Sequence, residues 1–157
     1  MNIRFATESD VSRIMFFIKE LAEYEKMSDD VVATEEMLRS EIFENKNAEV
    51  IFALDENSRE VGFALFFTTF STFLGRAGIH LEDLYVLPEA RGNGHGKALL
   101  KFLARLCTER GCGRLEWTCL NWNTPSLDFY RALGAETMDE WTLLRVSGKA
   151  LEKLAEN

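Results

Sequence analysis

At 157 residues, with 46% hydrophobic and 11% aromatic residues, the chain is long enough to bury a core and is read as one domain over 1–157. A formal net charge of −8 argues against nucleic acid or an anionic membrane as partner, since both favour a basic face, and is compatible with a cationic substrate. No apolar run reaches the roughly 18 residues that cross a bilayer, MNIRFATESD has no basic-then-apolar leader, and Cys107, Cys112 and Cys119 form no paired metal spacing. A soluble cytoplasmic protein with free thiols and no metal is expected.

In chain order, NIRFA reads as a first strand. Thr7, with Asp10 three residues on, opens a helix whose apolar positions run from Val11 to Tyr24 at helical spacing. Thr34 caps a shorter helix, EEMLRSEIFE. AEVIFALD and EVGFALFFTTF are strands joined by a hairpin at ENSR, and AGIHLEDLYVLPE is a third strand stopped by Pro88. A glycine stretch then leads into the helix KALLKFLARLCTERG, closed by Gly111. GRLEWTCLN is a strand. TPSLDFYRALG is a helix with Thr124 as cap and Pro125 in first position. EWTLLRVS reads as a last strand, before the helical tail GKALEKLAEN. The early strands suggest antiparallel pairing and the strand–helix–strand from 79 to 119 a parallel crossover, hence a mixed α/β sheet.

The glycine stretch RGNGHGK invites three readings. A Walker A loop needs Gly at 91 and Ser or Thr at 98, where Arg91 and Ala98 stand. A dinucleotide fingerprint needs a third glycine where Lys97 or Leu99 stands. The pattern R-x-x-G-x-G fits, with Arg91, Gly94 and Gly96. Bare backbone there lets amide groups approach a pyrophosphate at a helix N-terminus, and Arg91 and Lys97 add local positive charge.

LEDLYVLPEARGNGHGKALLKFL resembles the acetyl-CoA motif of the GNAT acetyltransferase superfamily, and LNWNTPSLDFYRALGA resembles the second half of that motif. IKELAEYEKM, LEDLYV and WNTPSLDFYRALGA resemble its diamine (spermidine/spermine) and thialysine branch, with FSTFLGR closer to the thialysine N-epsilon-acetyltransferases. Polyamine enzymes of that branch tend to carry an acidic residue near the position held here by Ser71. The resemblance implies a GNAT-type mixed, mostly antiparallel twisted sheet flanked by helices. It also implies acetyl-CoA as co-substrate, a small primary amine as acceptor, direct transfer in a ternary complex, and a homodimer.

Acetyl transfer to an amine sets three tasks. An alkylammonium has a pKa near ~10.4, so baring its lone pair at pH 7 costs roughly 4–5 kcal/mol and needs a base. The oxyanion needs a donor, and the departing thiolate an acid. Glu82, with Asp83 beside it, is the candidate base, and the resemblance assigns Glu82 to the amine. Successive strand residues face opposite sides, so only one of the two enters a site unless a bulge re-aims the chain. Backbone amides of Leu84, Tyr85 and Val86 are expected along the pantetheine and at the oxyanion, and Tyr130 as the acid. Arg91, Gly92, Asn93, Gly94, His95, Gly96 and Lys97 form the expected pyrophosphate loop, with backbone rather than the His95 ring doing the binding. Asn123 and Ser126 carry over as further cofactor contacts, and Tyr24 and Glu25, with Glu82 and Asp83, as amine contacts. Asp139 and Glu140 are weaker amine candidates. Cys119 has no His or Asp pattern for a covalent route. Acetylation of a peptide N-terminus or an aminoglycoside, or a non-catalytic acyl-CoA sensor, are the competing functions.

Overall fold

The computed structural model of the protein describes residues 2–156, which fall into two compact units divided between Thr118 and Cys119.

The first unit holds a five-stranded sheet in the order β1-β2-β3-β4-β5: Asn2–Phe5, Glu49–Leu54, Glu60–Ser71, Arg76–Val86 and Leu115–Trp117. Neighbours pair antiparallel except β4 and β5, which are parallel across the helix between them. This is the mixed, mostly antiparallel sheet that the element order implies. The hairpin at ENSR closes on Asp55, whose carboxylate accepts from the N–H groups of Asn57 and Arg59 (2.8 and 2.9 Å), with Ser58 at φ +61°.

Helix α1 (Val11–Tyr24) begins after a single 3₁₀ turn, where the Asp10 carboxylate accepts from the Thr7 N–H at 2.7 Å. Helix α2 (Glu35–Leu38) is capped by Thr34, whose hydroxyl accepts from the Met37 N–H at 3.2 Å, and relaxes into π-helical turns over Arg39–Glu44. The apolar stripe of α1 buries Ile14 and Phe17 with Ile42, Val50, Phe52, Phe63 and Tyr85 on one sheet face. Helix α3 (His95–Glu109) buries Leu99 and Leu103 on the other, so the interior strand β2 is apolar on both sides.

An ion-pair network ties the edge strand to α1. The Arg4 guanidinium lies 5.0 Å above the Phe52 ring, donates to both Asp10 oxygens (2.8 and 2.9 Å) and reaches Glu60 at 2.6 Å. These partners hold Asp10 well below the usual carboxylate range. Burial opposes the same shift at Glu60, but Arg4 and Arg13 prevail there.

In the second unit, α4 (Thr124–Ala132) and α5 (Gly148–Ala155) are the regular elements among the described residues. The cap of α4 is Asn123, one residue earlier than expected: its side-chain oxygen accepts from the Ser126 N–H at 3.4 Å, and Thr124 is already helical. Gly134, at φ +92°, ends the helix. EWTLLRVS is not a strand. Trp141, Leu143 and Leu144 are 75%, 73% and 85% exposed, and the segment joins no ladder among the described residues. Alternating apolar residues favour extended backbone, but an extended segment becomes a strand only when a neighbour takes its N–H and C=O groups.

Candidate active site

The site builds outward from an irregularity in β4. On β3, Leu65 pairs with Asp83 and the next residue, Phe66, pairs with Leu81, so Glu82 is the extra residue of a β-bulge. The bulge changes which way the chain faces. Leu81 pairs with Phe66 on the α3 side, whereas Asp83 and Tyr85 pair with Leu65 and Phe63, which pack with the α1 core. His80, paired with Phe67, also lies on the α1 side, its ring stacked on that of Phe67 at 5.0 Å. The Glu82 carboxylate comes within 3.7 Å of the His80 Nε2. Strict alternation would send Glu82 and Asp83 to opposite faces; the bulge brings both to one.

Their environments differ. The Glu82 side chain is 55% exposed. Asp83 is half-buried beside Leu65, and burial, followed by the charges of Glu82 and Glu25, pushes its carboxyl up to about 7. Glu25 sits at the C-terminal end of α1, and burial raises its carboxyl as well. Tyr24 meets Tyr85 edge to face, ring centroids 6.2 Å apart, so the end of α1 and this stretch of β4 form one surface. The Arg91 guanidinium caps both rings at 5.1 and 5.2 Å, and its Nε donates to the Val86 carbonyl at 3.0 Å. The motif read Arg91 only as phosphate charge; its packing on two tyrosines had no signal in the spacing.

Past the bulge, β4 loses its outer neighbour. Pairing with β5 covers only Ile79 to Leu81, so residues 82–86 have no strand partner on that side among the described residues. The Leu87 N–H donates to the Val61 carbonyl at 2.9 Å, which fixes the alternation: Tyr85 also turns its backbone toward β3, while Leu84 and Val86 turn theirs to the open edge. Of the three residues expected to offer amides, Leu84 and Val86 can do so. Tyr85 contributes a buried ring instead.

The open edge runs into the glycine turn. Gly92 (φ +79°) and Gly94 (φ +83°) are left-handed, and Gly94 caps α3. A side chain built on Gly92 would meet nothing within 4 Å, so the surface above it is open. Asn93 ties the turn down through its Nδ2, which donates to the Ala90 carbonyl at 3.4 Å. His95 opens α3, is buried, and its Nδ1 has no hydrogen-bond partner among the described residues; Gly96 is half-buried and Lys97 exposed. The first amides of a helix have no intrahelical partner, and successive amides in such a turn form an anion nest. These residues fit a pyrophosphate.

In the second unit, Asn123 is buried at the head of α4, and Ser126 and Tyr130 are half-buried along it. The rings of Phe129 and Tyr130 lie 5.4 Å apart, and the Tyr130 carbonyl accepts from the Ala135 N–H at 3.1 Å. Asp139 and Glu140 are exposed. Among the described residues no cluster of three or more His, Cys, Asp or Glu suits a metal ion, and no helix is long and apolar enough to cross a membrane.

A mixed sheet whose fourth strand is open beyond a bulge and runs through left-handed glycines into a helix offers a backbone edge and an anion nest to an extended, pyrophosphate-bearing ligand. Residues 16–135 match the Acetyltransferase (GNAT) family, and the chain belongs to that family, whose co-substrate is acetyl-CoA. It is 40% identical to a thialysine N-epsilon-acetyltransferase of Bos taurus, over 98% of this chain and 96% of the relative. It is 29% identical to an L-ornithine N5-acetyltransferase of Arabidopsis thaliana, over 97% and 86%. Among solved structures, an integron cassette protein from the mobile metagenome of V. cholerae superposes with a TM-score of 0.82 at 30% identity, covering 99% of this chain and 98% of the other.

Proposed function

We propose that this acyltransferase moves the acetyl group of acetyl-CoA to a primary amine of a small cationic substrate of the thialysine, lysine or diamine type. The observation that carries the reading is the juxtaposition on β4: a backbone edge and glycine turn suited to CoA, beginning where two carboxylates face the end of α1. The names of the thialysine and ornithine relatives support the amine class.

When bound, acetyl-CoA supplies an activated thioester carbonyl. The amides of Gly92 to Lys97 hold the pyrophosphate, with Lys97 adding charge. The outward N–H groups of Leu84 and Val86 bind the pantetheine and polarise the acetyl oxygen. Glu82, Asp83, Glu25 and Tyr24 receive the ammonium and take its proton. Tyr130 donates a proton to the departing sulfur, and Asn123 and Ser126 contact the cofactor; these three assignments rest on the N-x-x-x-x-x-x-Y motif. Both units serve as one acetyltransferase domain, without a metal and with transfer in a ternary complex. We place the enzyme in the cytoplasm, which its three free cysteines support, and as a homodimer, which the exposed apolar run from Trp141 to Val146 supports.

Mass spectrometry of thialysine incubated with the full-length protein and acetyl-CoA tests the reading. One acetyl group on the side-chain amine is the expected product. Acetyl-CoA binding without acetylation of thialysine, lysine, ornithine or spermidine would leave an acyl-CoA sensor or an acetyltransferase for a peptide N-terminus or aminoglycoside.

A further inference from the structure

The carboxylates of this site divide their labour. We propose that Asp83, rather than its more exposed neighbour Glu82, takes the proton from the substrate ammonium, with Glu82 and Glu25 as the flanking charges that hold the cation. This assignment rests on the acetyl-transfer reading above and deepens it.

The argument begins with the bulge. Because Glu82 is the extra residue, Asp83 is the one that returns to register, half-buried opposite Leu65, which packs with the α1 core. Glu82 stands out from the ladder, 55% exposed and beside His80. The charged and titratable groups around Asp83 are Glu82 and His80 on its own strand, Glu25 and Tyr24 at the end of α1, and Tyr85 with Arg91 two residues on. From β3 it faces only the apolar Leu65. Arg91 is engaged elsewhere, over the two tyrosine rings and on the Val86 carbonyl, and among the described residues no ion pair reaches Asp83. Its near neighbours in charge are both carboxylates, an arrangement that a cation entering the site relieves.

Chemistry selects the same residue. A carboxyl in water is a weak base toward an ammonium with a pKa near ~10.4, and each unit by which its pKa rises improves the transfer tenfold. Burial and two like charges raise Asp83 to about 7, so it is still ionised in a useful fraction at neutral pH and binds a proton far better than an ordinary carboxylate. The ammonium gives one proton to Asp83. The freed lone pair forms the C–N bond to the acetyl carbon as the thioester C–S bond breaks, and Tyr130 gives its proton to the sulfur. The nitrogen sheds a second proton, which restores Tyr130 through solvent, and Asp83 passes its own to solvent. One proton is released per turnover.

The test is the pH dependence of kcat/KM for thialysine, from about pH 5 to about pH 9, in the full chain and three variants. The wild type should lose rate below about pH 7. Asp83→Asn should lose at least ~100-fold at neutral pH and show no break near pH 7, its rate instead rising about tenfold per pH unit across the whole range as the free amine appears. Glu82→Gln and Glu25→Gln should raise KM and keep the break, moved to lower pH, because each removes a like charge from Asp83. A break near pH 7 that survives Asp83→Asn, or a break that vanishes in Glu82→Gln, overturns the assignment while leaving acetyl transfer intact. Absence of wild-type turnover with every amine overturns both. Carbon-detected NMR titration of the wild-type carboxyls covers a variant that does not fold: an Asp83 carboxyl titrating in the ordinary range of about 4 overturns the assignment by itself.

Discussion

Leu81 and Trp117 form the last rung between β4 and β5, and one residue later the bulge at Glu82 begins. The strand therefore changes both its facing and its edge within two residues. Backbone donors at Leu84 and Val86 are left to the open side, while that of Tyr85 stays in the ladder with β3. Proline substitution separates the two kinds. Val86→Pro should lower kcat by about 100-fold, the cost of one preorganised donor, with little loss of melting temperature. Tyr85→Pro should destabilise the fold by about 3 kcal/mol or more, measurable by urea unfolding.

The left-handed glycines give a second contrast. Gly94→Ala places a β-carbon at φ +83° and should cost roughly 1–2 kcal/mol of stability. Gly96 lies in the first turn of α3, where alanine is a better helix former by up to about 1 kcal/mol. Gly96→Ala should therefore melt no lower than the wild type, yet bind acetyl-CoA more weakly by calorimetry if, as proposed, the backbone there approaches phosphate.

The Arg4–Asp10 pair predicts acid sensitivity. Its hydrogen bonds hold the folded Asp10 carboxyl below its unfolded value, so the folded state binds fewer protons. That stability is fully present above about pH 4 and lost as pH falls toward the folded pKa. Asp10→Asn should cost roughly 1–3 kcal/mol at pH 7, and the gap to the wild type should narrow in acid, as followed by unfolding at stepped pH.

Tyr130→Phe removes only a hydroxyl. If that hydroxyl protonates the leaving sulfur, kcat should fall by about 100-fold or more, with acetyl-CoA affinity within about threefold of the wild type. An unchanged kcat would remove Tyr130 from the chemistry.

Much of this is legible in the sequence. Local chemistry announces itself: Thr34 before a helix, ENSR between two strands, and Gly111 at a helix end each meet a backbone need that few residues can meet. The R-x-x-G-x-G spacing ruled out triphosphate and dinucleotide loops for the same reason. What stayed hidden was relational. The bulge is a mismatch between Leu65–Phe66 and Leu81–Asp83, and neither strand alone carries it. LED gave no sign that Asp83 would be the desolvated carboxylate, since burial depends on Leu65 and on where α1 ends. EWTLLRVS has strand composition without a strand neighbour, and periodicity reports facing, not pairing.

The central claim is acetyl transfer to a small cationic amine, and thiol release from acetyl-CoA measures it most directly. With the purified full chain, thialysine, lysine, ornithine and spermidine should include at least one substrate that releases CoA thiol in step with formation of its N-acetyl product. Release that is independent of added amine, or no release with any of them from protein that binds acetyl-CoA, would contradict the account.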